Sequence, residues 1–184
     1  MTRTLCLTLL VLTVLPVYAQ NTSFPRTCRM ASRYDRAADA TTVQCDDLVP
    51  RGEAPAGLSV GINQFFRGKS PNETARFRFH LASNRGGGTR RSPLLFQGAE
   101  TFYLQCDSSV LQLSIREYNN TFFELIRYTS ETAQAEIRAE DLPLVLAAHS
   151  LEGRWGTTSF KFSDKALAAI KEFISNRISS EDGR

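Results

Sequence analysis

The chain of 184 residues is short of the side chains that most enzyme and metal chemistry needs. It has two histidines, His80 and His149, and four cysteines. No C-x-x-C or H-x-x-x-H spacing occurs, so no metal site and no cofactor is expected. The single G-x-S-x-G spacing, Gly57-Leu58-Ser59-Val60-Gly61, runs into an expected strand and not a strand-to-helix elbow, so no α/β-hydrolase nucleophile is expected. A Gly-X-Y period, a sustained heptad, an internal repeat and a βαβ alternation are all missing, so collagen, coiled-coil, solenoid and doubly wound folds drop out. Beyond residue 19 no apolar run approaches the roughly 20 residues of a spanning helix. Charge of one sign is lacking as well. Lys and Arg total 22 against 19 Asp and Glu, a net +3. With 12 phenylalanines beside that low net charge, the chain is no disordered tail.

What is present begins with an address. Residues 1–19 combine Arg3, an uncharged core from Leu5 to Leu15, the helix-breaking Pro16 and the sequence Val17-Tyr18-Ala19. That order is the pattern of a secretory signal, with cleavage expected after Ala19. The C-terminus carries no retrieval tetrapeptide and no anchoring tail. The product is therefore read as secreted and extracellular. Three sequons, at Asn21, Asn72 and Asn119, are expected glycosylation sites in that compartment.

Cys6 would leave with the signal, so Cys28, Cys45 and Cys106 remain. An odd number allows one intramolecular bridge with three possible pairings. Cys106 follows Phe102 and Leu104 in an alternating run and reads as a buried thiol. Cys28–Cys45 is then the favoured pair, closing a polar loop. A bridge to Cys106 or to a second chain stays open, and so does the oligomeric state.

Residues 20–57 are rich in Arg, Asp, Ala, Thr, Pro and Gly and read as a loop-rich N-terminal arm, with two helical turns over Met30 to Ala38. From residue 58 to 184 alternation takes over. Phe77, Phe79 and Leu81 share one face, with Arg76, Arg78 and His80 on the other. Further strands are expected at 58–66, 94–96, 101–106, 110–117, 122–128, 144–149 and 154–162. Residues 132–142 read as either helix or strand. A three-residue turn at 119–121 would set Ile115 opposite Leu125 and Arg116 opposite Glu124. Ser163 as N-cap, with Leu167, Ile170, Ile174 and Ile178 at helical spacing, marks an amphipathic helix over 163–178. The expected fold is mainly β: an antiparallel sandwich or jelly roll of about eight strands with one C-terminal helix, and a β-barrel as the alternative.

The succession Phe77-x-Phe79, Leu94-Leu95-Phe96, Phe102-x-Leu104, Leu111-x-Leu113 and Gly153-Arg154-Trp155 is similar to the strand order of laminin-G-like sandwiches over about half the chain. Gly156 stands where that family has a histidine, so no functional residue carries over. Gly153-Arg154-Trp155 also resembles the lipocalin G-x-W, which in that family belongs near the first strand.

Function is read from charge asymmetry. Residues 20–91 carry twelve bases and six acids, and residues 92–184 nine and thirteen. Arg76, Arg78, Arg85, Arg90 and Arg91 are the candidate binding face, since guanidinium forks pair with sulfate, phosphate and carboxylate. An extracellular protein or an anionic glycan is the expected partner. The address argues against nucleic acid. The alternatives are a barrel carrying a small apolar ligand, a protease inhibitor presenting Arg90-Arg91, or a hydrolase built on Asp46, Asp47 and Glu53. No catalytic residue is assigned.

Overall fold

The computed structural model describes residues 28–49, 57–71, 75–86 and 94–178. The expected signal over residues 1–19, and Asn21, Asn72, Glu53, Arg90 and Arg91, lie outside the described residues. The strands are β1 (Arg29–Asp35), β2 (Ala40–Val49), β3 (Leu58–Arg67), β4 (Arg76–Arg85), β5 (Thr101–Cys106), β6 (Ser109–Phe123), β7 (Tyr128–Ile137), β8 (Leu151–Trp155) and β9 (Thr158–Lys161). Two α-helices, α1 (Leu142–Ala147) and α2 (Asp164–Ile178), and two single-turn 3-10 helices at Glu124–Ile126 and Ala139–Asp141 complete the described elements. The strands form one antiparallel sheet in the order β1-β2-β3-β4-β7-β6-β5-β8-β9. Its ends, β1 and β9, do not pair, so the sheet is not closed into a barrel.

The sheet turns on itself through β6. Residues Ser109–Ser114 of that strand pair with β5, and Ile115–Phe123 pair with β7. A bulge between Ile115 and Glu117 separates the two halves. An extra residue on one strand bends it and sharpens its twist. The two halves then face each other. Phe79 of β4 lies 5.8 Å from Phe102 of β5 and 5.8 Å from Phe162, which follows β9. Gly153 on β8 permits the rest of the aromatic packing. A Cβ there would overlap the Phe160 ring and come within 2.9 Å of Phe102.

Helix α2 begins as the sequence predicts. The Ser163 hydroxyl accepts from the Ala166 N–H at 3.2 Å. Ala166, Leu167, Ile170, Phe173 and Ile174 are buried along one stripe, and Phe173 meets Phe77 edge-on at 6.2 Å. Asp164 and Lys165 are exposed, Lys171 and Glu172 are half-buried, and Arg177 lies over the Phe173 ring at 5.8 Å.

Several local expectations are corrected. Residues 28–49 form the hairpin β1–β2 and not a loop-rich arm with helical turns. The Asp35 carboxylate accepts from Ala37 and Ala38 N–H at 2.8 and 3.2 Å, so the turn is chosen by a side chain that competes with helix formation. Cys28 and Cys45 form the disulfide across this hairpin, and Cys106 is a buried free thiol. Burial pushes the Cys106 thiol up to about 11, which keeps it protonated and unreactive.

Residues 94–96 form a bend and not a strand. Residues 144–149, expected as a strand, lie largely in α1. Pro143 at its start pre-sets a helical φ, and only Val145 of the helix is fully buried. Residues 132–137 belong to β7, where Ala133, Ala135 and Ile137 are buried in alternation. The turn expected at 119–121 falls instead at Glu124–Arg127, with Arg127 at φ 48°. Ile115 therefore pairs with Ala135, and Leu125 is fully exposed. Asn119 sits mid-strand in β6 with an exposed side chain.

Candidate functional site

The five arginines of the expected binding face are not one surface. Arg76 and Arg78 lie on the outer side of β4, while Arg85 shares the parity of Phe77, Phe79, Leu81 and Ser83 and points inward. Arg85 ion-pairs with Glu131 of β7, whose side chain is 0% exposed. Glu131 also accepts from the Leu95 and Phe96 N–H groups at 3.1 and 3.0 Å and from the Tyr118 hydroxyl at 2.7 Å. Burial pushes the Glu131 carboxyl up, but these donors outweigh it and hold the group below its usual value. Burial and the Glu131 charge push the Tyr118 phenol up to about 12. This node fastens the 94–96 bend to the sheet. Phe96 then stacks on Trp155 at 3.9 Å, and the Trp155 indole donates to the Ala99 carbonyl at 3.4 Å.

Arg78 is committed on the outer side. It lies 3.3 Å from Glu117 and 3.6 Å from Glu136, donates to Gln134 at 3.3 Å, and sits over the Phe65 ring at 5.2 Å. Arg116, the bulge residue, reaches Glu136 at 3.6 Å. Two arginines thus meet two glutamates across β4, β7 and β6, and the field of this ladder is close to neutral.

The acidic pair of β2 lines a notch of about 210 Å³ with Ser59, Val60, Gly61, His80 and Ala82. Gly61 permits it, because a Cβ would come within 2.9 Å of the Cys45 carbonyl and 3.1 Å of an Asp46 carboxylate oxygen. Burial pulls the His80 imidazole below its usual value, while Asp46 and Glu117 oppose that pull. Among the described residues no group of three or more His, Cys, Asp or Glu is placed to hold a metal ion.

A cleft of about 420 Å³ opens at the seam between β2 and β9, lined by Leu48, Val49, Lys161, Phe162, Ser163 and Asp164. The interior beyond it is occupied by the Phe79, Phe102, Phe160 and Phe162 rings. Gln64 is 1% exposed, and neither polar atom of its amide has a partner among the described residues.

The outer side of β5, β8 and β9 differs from all of these. Here a depression of about 160 Å³ is lined by Tyr103, Gln105, Val110, Glu152, Gly153, Arg154 and Ser159. Tyr103 and Arg154 are directly paired across β5 and β8, and the Arg154 guanidinium lies 4.2 Å from the Tyr103 ring centroid. A guanidinium over an aromatic face is held flat with its N–H fork still unsatisfied. Glu152, two residues away on the same face, is engaged by Lys161 at 3.5 Å. Arg154 makes no ion pair with any described residue. Sequence reasoning missed this site because Arg154 stands apart from any cluster of basic residues. The Tyr103–Arg154 pairing needs a β5–β8 register that no local pattern supplies.

No family model matches the chain, and no curated protein or solved structure matches it either. No helix among the described residues is long and apolar enough to cross a membrane.

Proposed function

We propose that this protein is an exported, glycosylated binding module for an anionic extracellular ligand, and that its contact surface is the outer side of β5, β8 and β9. The observation that carries the reading is Arg154, stacked on Tyr103 in a depression and without a carboxylate partner. The arginines of β4 are poorer candidates, because Arg78 and Arg85 already bind glutamates. The Cys28–Cys45 bridge suits an oxidising compartment, in keeping with the signal-like residues 1–19 and the sequons at Asn21, Asn72 and Asn119. An anionic glycan fits a small ring-sized depression better than an acidic protein surface does. Carriage of a small apolar ligand is the second reading, supported by the cleft at the β2–β9 seam.

The test is retention of the secreted protein on immobilised heparin across a salt gradient. Arg154→Gln should elute at distinctly lower salt, and the triple variant Arg76→Gln/Arg90→Gln/Arg91→Gln should elute close to the parent. The reverse order would return the site to the arginine-rich segment.

A further inference from the structure

The depression holds more than a cation, and the extra groups narrow its ligand. Arg154 and Glu152 occupy the same outer face two residues apart on β8, about 6.6 Å along the strand. A small compact anion such as sulfate on the Arg154 fork would lie beside the Glu152 carboxylate, whose charge the half-exposed Lys161 contact at 3.5 Å offsets only in part, and that neighbour is repulsive. A ligand that keeps its acid at one end and hydroxyl donors at the other satisfies both. Gln105 donates one Nε2 N–H to the Asp107 carbonyl at 3.0 Å, which leaves its second N–H and its Oε1 for a sugar hydroxyl, a group that both accepts and donates. Ser159 supplies a hydroxyl that both donates and accepts. Val110, 57% exposed, and the uncovered edge of Tyr103 give an apolar margin for ring C–H groups. The volume of about 160 Å³ is that of one six-membered ring, since an engineered cavity of about 150 Å³ takes up benzene.

We infer that the Tyr103–Arg154 depression is a subsite for a single carboxylated sugar ring, with the acid on Arg154 and the ring hydroxyls on Glu152, Gln105 and Ser159. The inference rests on the anion-binding reading above and sharpens it from any anion to a uronate. Glu152 then acts as the specificity residue: it accepts from sugar hydroxyls and turns away ligands whose negative charge is not displaced from their donors.

The experiment is a backbone amide NMR titration of the glycan-trimmed protein with sodium glucuronate, glucose and sodium sulfate at constant ionic strength. Glucuronate should shift amides of Tyr103, Gln105, Glu152, Arg154 and Ser159 in a saturable way, and glucose and sulfate should bind more weakly. Arg154→Gln should weaken glucuronate binding about tenfold or more, as loss of a charge-assisted hydrogen bond does. Glu152→Gln should weaken glucuronate and strengthen sulfate, a crossover that simple unfolding cannot produce. Equal binding of sulfate and glucuronate, unchanged by Glu152→Gln, would overturn the uronate assignment and leave a plain anion site. No shift at these residues with any anion, while heparin retention persists, would overturn the placement of the site itself.

Discussion

On β4, Arg78 lies 3.3 Å from Glu117 and 3.6 Å from Glu136, and Arg85 is buried against Glu131. On β8, Arg154 lies over Tyr103 and meets no carboxylate among the described residues. Both strands are antiparallel and both carry arginine, yet one set of cations is spent and the other is not. What differs is the partner strand. β4 pairs with β7, which brings Glu131 inward and Glu136 outward. β8 pairs with β5, which offers Tyr103 at the matching position. Cross-strand neighbours, more than the number of arginines in a segment, decide whether a cation can meet a ligand.

Removing Glu131 should break the β4 side most severely. Glu131→Ala leaves the buried Arg85 cation unpaired and strips the Leu95 and Phe96 N–H groups of their acceptor. Loss of one partner of a buried pair costs about 3–5 kcal/mol, read here as a lower urea midpoint. The same residue sets an acid limit. Its carboxyl is held below the ordinary value, so the folded state binds its proton less readily than the unfolded chain does. Its contribution is complete above the ordinary carboxyl value of 4.5 and is lost as pH falls through the lower folded value. Glu131→Gln should therefore flatten the fall in stability below pH 4.5. A variant as acid-sensitive as the parent would show that the node is not what fails in acid. On the β8 side no single ion carries such weight, and Arg154→Gln should leave the urea midpoint within experimental error.

The packing beneath β8 is the next largest target. Gly153→Ala places a methyl group against the Phe160 and Phe102 rings and should destabilise by about 1–3 kcal/mol, as overpacking of a core does. The effect should also reach function. Gly153 lies between Glu152 and Arg154, so a displaced β8 tilts the guanidinium off Tyr103 and lowers heparin retention. An Ala variant of full stability would mean that Phe160 moves aside without cost.

These cases mark where the sequence was sufficient. Strands with clean alternation and one buried face, such as Phe77 to Leu81, were legible because the period of two is local. Helix α2 was legible through Ser163 and its apolar stripe for the same reason. Parity failed at β6, where the bulge at Arg116 shifts the inward set from Leu111, Leu113 and Ile115 to Tyr118, so the turn was placed too early. β1 was hidden because its side chains from Ala31 to Asp35 are exposed and mostly polar, and without a recognised partner the buried Val43, Cys45, Leu48 and Val49 of β2 were read as part of a loop. Charge clustering singled out residues 76–91, but Glu131 lies more than forty positions after Arg85 in the chain and cancels it through a long-range pairing. The Cys28–Cys45 pairing was favoured by elimination, since Cys106 already belonged to an apolar strand face.

The smallest change tests the comparison most directly, because it tries to turn β4 into β8. Glu117 and Glu136 hold Arg78 and Arg116 on the outer face, with Glu117 half exposed. Their replacement in Glu117→Gln/Glu136→Gln should lower stability by about 1 kcal/mol, since each pair keeps some contact with water and a glutamine oxygen can still accept from the guanidinium. Binding should respond more than folding. With both acids neutral, Arg78 stays positioned over Phe65 at 5.2 Å and keeps Gln134 at 3.3 Å, but no carboxylate offsets its charge any longer. The variant should gain heparin retention, and combining it with Arg154→Gln should restore part of what Arg154→Gln removes. Unchanged retention at unchanged stability would mean that an unpaired, ring-stacked arginine is not enough, and that the neighbours of Arg154 in the depression, Glu152, Gln105 and Ser159, supply what β4 lacks.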